Sequence, residues 1–105
     1  MEQPNLSYIN DLAAGDEVFK HKLITVVKNE LPDEIEIYHS NMNSSAFAKA
    51  AQNVHKLKHK LGILGLVAGY ETAIAYEEEL KLGKSSLKTE FESILVACNH
   101  FINDL

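Results

Sequence analysis

Apolar residues recur three and four positions apart along almost the whole chain, and this rhythm restricts the backbone to one kind of regular structure. One series runs Phe47, Ala50, Val54, Leu57, Leu61 and Leu64; another runs Leu87, Phe91, Ile94, Leu95, Cys98, Phe101 and Leu105. Residues spaced in this way share one face of an α-helix, whereas a half-buried strand needs strict alternation. No run of alternating β-branched residues bounded by turn residues interrupts the pattern. The chain is therefore expected to be all-α.

Turn and capping residues divide the pattern into segments. Ser7 to Ala14 forms a short helix, with Ser7 as its N-cap and Gly15 as its stop. Asp16 caps a second helix bearing Phe19, Leu23, Val26, Val27 and Leu31. Pro32 is expected to bend that helix without ending it, because Ile35, Tyr38 and Met42 continue the stripe. A third helix is expected from Asn43 or Ser44 to the turn at Gly65, and a fourth from Val67 to Leu82, burying Tyr70, Ala73, Tyr76 and Leu80. Gly83 stops the fourth, and Ser85 or Ser86 caps a fifth. Four long amphipathic helices with short connections bury their stripes most simply as an antiparallel, up-down-up-down four-helix bundle, here with a short extra N-terminal helix.

The 105 residues suffice for one domain and one core, so residues 1–105 are read as a single unit. A net charge of −5 and the lack of a wide basic stripe argue against nucleic acid as a partner. No apolar run is long enough to span a membrane, and the N-terminal residues do not have the form of a signal peptide. The one cysteine, Cys98, cannot form an internal disulfide, which fits a cytoplasmic setting, and its place in an apolar stripe marks it as a buried small hydrophobe.

Chemistry concentrates on the third helix. His55 follows core residue Val54 and so stands on the flank of the apolar stripe, with Ala51, Lys58, His59 and Gly62 on the same face. Lys56 and Lys60 are expected to project further toward water. A cation three residues from an imidazole is placed to neutralise a phosphoryl group on it, and a bare glycine lets another protein come close. Two histidines at this spacing also suit a metal ion, but Lys56 follows His55 directly where a metalloprotease has glutamate. Three nearby lysines and no evident third ligand weigh against a metal. Glu77, Glu78 and Glu79 are consecutive and cannot pair on one helical face; Glu77 is expected to lean toward the His55 helix or its lysines.

The run His55 to Leu66, HKLKHKLGILGL, resembles the signature of histidine-containing phosphotransfer (HPt) domains of bacterial phosphorelays: histidine, lysine three on, and glycine ten on followed by an apolar residue, matched by His55, Lys58, Gly65 and Leu66. Gly15-Asp16 followed by Phe19 resembles the opening of the family's second helix, and Tyr76-Glu77 with Leu80 and Gly83 its closing pattern. His59 departs from the family, which usually has glycine there.

The resemblance implies a phosphocarrier, not an enzyme: His55 accepts a phosphoryl group from a receiver-domain aspartate and passes it to another receiver. Lys58 and His59 would stabilise the phosphate, and Ala51, Lys56 and Gly62 would contact the partner. The register favours His55 over His59, since only His55 has lysine at plus three and glycine at plus ten. No cofactor is expected on this chain, because Mg²⁺ belongs to the receiver. The implied partners are response-regulator receivers and a hybrid histidine kinase, met by a monomer. The alternative is a helical adaptor that binds a receiver or kinase without transferring phosphate.

Overall fold

A computed structural model describes residues 2–105. Among them are five α-helices and no strand: α1 (Ser7–Ala13), α2 (Glu17–Asn43), α3 (Phe47–Ile63), α4 (Val67–Lys81) and α5 (Lys88–Asn103). None is long and apolar enough to cross a membrane. At about 1.5 Å per residue, the 27 residues of α2 span about 40 Å, which sets the 44 Å long axis of the molecule.

Asp16 caps α2 as expected, its Oδ1 accepting from the Phe19 amide at 3.0 Å. The helix then runs unbroken through Pro32. Other boundaries differ from expectation. Ser7 lies inside α1, and its amide is held by Asn5 Oδ1 at 3.0 Å. The third helix starts at Phe47 because α2 continues to Asn43 and closes with a left-handed residue, Ser45. There the Ala46 amide reaches the Asn41 carbonyl and the Ser45 amide that of Met42, the paired bonds of a Schellman ending.

The same ending closes α3 at Gly65 and α4 at Gly83. Neither Ser85 nor Ser86 is the N-cap of α5; that residue is Leu87, whose amide donates to Glu79 Oε1 of α4 at 2.9 Å, with Ser86 Oγ on the other carboxylate oxygen. Helix α4 likewise lacks a side-chain cap of its own at Leu66. Instead, Glu2 accepts from the Ala68 and Gly69 amides, both at 2.9 Å.

Helix α3 packs against α2 on one side and α4 on the other, and α5 lies against both α4 and α2. The shared core holds Val27, Leu31, Ile35, Tyr38, Val54, Leu57, Leu61, Ala73, Tyr76, Leu80, Phe91, Leu95, Cys98 and Ile102. Tyr38 meets Tyr76 and Phe91 edge to face and Tyr76 meets Phe91 at a tilt, joining α2, α4 and α5 with ring centres 5.1–6.3 Å apart. The Tyr38 hydroxyl donates to Glu92 at 2.9 Å and lies 2.7 Å from that of Tyr76, so both buried phenols are satisfied. Burial drives the Tyr38 hydroxyl far above the ordinary tyrosine range, and the bonds to Tyr76 and Glu92 push it the same way.

Five stripe residues, Phe19, Leu23, Val26, Tyr70 and Leu105, fall outside this core. Phe19 and Val26 are exposed near the start of α2, where α5 has already ended beside Lys28, whose Nζ lies 3.4 Å from the Leu105 carbonyl. Tyr70 is only half-buried and lies over Gly62 and Lys58.

The two glycines that end the His55 segment have different reasons to be glycine. Gly65 has φ +77°, and a Cβ there would meet the Asn5 side chain at 2.5 Å. Gly62 is helical, and a Cβ would make an ordinary 3.5 Å contact with Tyr70 Cδ2. Gly65→Ala is therefore expected to destabilise the fold by about 2 kcal/mol, from left-handed strain and displacement of Asn5. Gly62→Ala should be neutral or stabilising by up to about 1 kcal/mol, because alanine is the better helix former. Urea unfolding of the two variants beside wild type measures both effects.

Candidate functional site

Each residue of α3 advances about 100° around the helix axis, so angular position sorts the side chains around His55. Val54, Leu57 and Leu61 are fully buried, while the His55 side chain is 53% exposed. Lys58 and Ala51 fall on the His55 flank nearest α4. Lys60 falls about 140° round the helix from His55, on the flank nearest α2. There its Nζ pairs with Glu30 and Glu34, each at 3.0 Å. Lys60 thus does not project to water and takes no part in the His55 face.

Ala51 also departs from expectation. At 2% exposure it offers a partner little surface and forms the floor of a groove beside His55. Gln52, Lys56, Glu77 and Lys81 line the same groove.

The residue that organises the site comes from α4. Glu77 follows the buried Tyr76 and is itself 8% exposed, the one buried charged residue among those described. Both its carboxylate oxygens lie 3.2 Å from His55 Nδ1. Lys58 Nζ stands 3.4 Å from Oε1, and Lys81 Nζ stands 3.5 Å from Oε2. The expected lean of Glu77 toward the His55 helix and its lysines is what the structure has. Lys81 belongs to no motif in the sequence, but its place four residues after Glu77 is the signal for such a pair.

Burial by itself would raise the Glu77 carboxyl. The hydrogen bond from His55 and the charge of Lys58 outweigh that penalty and hold it below the ordinary value of 4.5. An ionised carboxylate only accepts, so His55 Nδ1 carries the hydrogen and donates. Lys58 Nζ, 3.4 Å from the same nitrogen, is then a neighbouring charge and not a donor to it. The tautomer so selected leaves the lone pair on Nε2, as in other sites where a carboxylate orients an imidazole.

His59 continues the exposed face one turn on. Its ring meets that of His55 edge to face, with centres 5.2 Å apart. It also borders a shallow depression shared with Tyr8, Gly62, Ile63 and Tyr70. The ring of His55 is held by Glu77, not by His59. Gly62 accommodates Tyr70 of the same chain, so a bulky residue there would disturb α4. Tyr8, Leu12 and Val18 are exposed. Cys98 is buried, and burial pushes its thiol up to about 12, which removes it as a nucleophile. Among the described residues, no group of three or more histidine, cysteine or acidic side chains is gathered to hold a metal ion. Comparison of the chain with protein-family models, curated proteins and solved structures finds no match.

The depressed Glu77 carboxyl sets a sign for acid stability. Its contribution is complete above the unfolded value near 4.5 and is lost as pH falls through the lower folded value. Glu77→Gln should destabilise the protein by about 1–2 kcal/mol at pH 7, the scale of a charge-assisted hydrogen bond. The gap between variant and wild type should narrow at pH 3. Urea midpoints at the two pH values test this, and an equal gap at both would contradict it.

Proposed function

We propose that this protein is a phosphorelay intermediary of the HPt type, with His55 as the phosphoacceptor. The observation that carries the reading is the His55–Glu77 contact. A carboxylate that accepts the hydrogen bond from Nδ1–H makes Nε2 the nucleophile, and the half-exposed ring sits on an open helix face where a partner domain can reach it. The arrangement that fits is an antiparallel four-helix bundle of α2 to α5 with α1 alongside. Its support is the ring of contacts α2–α3, α3–α4, α4–α5 and α5–α2, joined by turns of a few residues.

In the proposed step the Nε2 lone pair attacks the phosphorus of an aspartyl phosphate on a receiver domain. An N–P bond forms as the P–O bond to the aspartate breaks, and the aspartate leaves as carboxylate. The ring gains positive charge, which Glu77 stabilises through Nδ1–H. Lys58, beside the same ring, offers a cation for the phosphoryl oxygens. A second receiver aspartate reverses the step. Little else is required of this chain, because phosphoryl transfer depends chiefly on positioning and charge. Mg²⁺ is assigned to the receiver: the one carboxylate beside His55 is already engaged by His55, Lys58 and Lys81. The exposed Tyr8 and Leu12 of α1, with His59 and Gly62, form the surface proposed to meet the receiver.

Incubation with a phosphorylated receiver should label wild type with acid-labile, base-stable phosphate. His55→Gln should take no label, and Lys58→Ala should slow labelling about tenfold or more, in line with loss of one charge-assisted contact. Full labelling of His55→Gln would overturn the assignment. Receiver binding without any labelling of wild type would make the protein an adaptor.

A further inference from the structure

His55 and His59 present two imidazoles to solvent one helical turn apart, and their spacing has a second chemical meaning. A zinc ion about 2.0–2.1 Å from a ring nitrogen lies about 3.2 Å from the centre of that ring. Two rings sharing such an ion at the tetrahedral angle have centres about 5.2 Å apart. The His55 and His59 centres are 5.2 Å apart, with planes at 87°. His59 is exposed, so its ring can turn a nitrogen toward the shared point. Glu77 already holds His55 Nδ1–H, the carboxylate–histidine arrangement that orients an imidazole whose other nitrogen binds metal.

The lysines oppose a cation less than their number suggests. Lys60 is turned to α2 and paired with Glu30 and Glu34. Lys58 and Lys81 are paired with the Glu77 carboxylate, which already balances part of their charge. Lys56 remains on the open side and keeps the affinity modest. Tyr70 of α4 and Tyr8 of α1 border the His59 side.

We propose that His55 and His59 form a reversible site for a divalent cation of the zinc class, with water completing the coordination, and that its occupation blocks Nε2 of His55. Two protein ligands make a labile site, suited to regulation and not to holding the fold. Mg²⁺, which demands oxygen ligands, does not compete for it. The blocking role rests on the phosphoacceptor reading; the metal site does not.

The test is a Zn²⁺ titration of the unphosphorylated chain by calorimetry, with histidine resonances followed by NMR and helicity by circular dichroism. Saturable one-to-one binding that moves the His55 and His59 signals is expected. It should weaken at least about tenfold in His55→Gln and in His59→Gln, and stay unchanged in His100→Gln. Absence of saturable binding, wild-type affinity in His59→Gln, or loss of binding in His100→Gln would overturn the site. Zinc-saturated protein should then accept phosphate more slowly in proportion to occupancy, and an undiminished rate would overturn the blocking role. A chain that binds zinc but is never labelled would overturn the phosphoacceptor reading and leave the metal site standing.

Discussion

Helix α3 is packed on two sides, and the rest of the molecule follows from how it is shared. Its apolar stripe is buried between α2 and α4, so each flank of the stripe carries charged residues to the edge of a neighbouring helix. A lysine ammonium held there must find an anion or keep its contact with water. On the α2 flank Lys60 finds Glu30 and Glu34. On the α4 flank Lys58 finds Glu77. The two ion clusters differ in one respect that matters for chemistry: only the α4 cluster contains a histidine.

That histidine is controlled from outside its own helix. Glu77 is buried because it follows Tyr76 on the face of α4 that meets α3, and it stays ionised because three donors surround it. Its charge and position then decide which nitrogen of His55 carries hydrogen. The proposed nucleophile, phosphate and metal ion all depend on the lone pair that this one contact leaves free. A solvated helix histidine with no such partner has no preferred role.

Remote carboxylates also govern where helices begin. Glu2 caps α4 across the α3–α4 turn, and Glu79 reaches forward to cap α5. In both places the local sequence supplies no side-chain cap at the helix start, so the orphan amides that head a helix are met by an acid distant in sequence or on the preceding helix. This is why Ser85 and Ser86, sound N-caps by residue type, do not serve as one. The left-handed endings, by contrast, are local. Gly65 and Gly83 stop their helices where they stand in the sequence.

The helical class, the approximate extent of all five helices, most of the core, and the flank on which His55 stands are written in the order of residues. These follow from periodicity and terminators, which act within a few residues. The resemblance of the His55–Leu66 run to a phosphotransfer signature was legible there too. Which charges meet depends on how the helices pack. Lys58 and Lys60 are two residues apart and look alike in the sequence, yet about 200° of helix rotation sends them to different neighbours. Ala51 is 40° nearer the core than His55 by the same geometry and is lost to the surface. Glu77, one of three consecutive glutamates, is set apart by which helix lies opposite it. A side chain's neighbours along the helix are written in its own segment, but its partner across an interface is settled by the packing of two segments, and the tautomer of His55 depends on that partner.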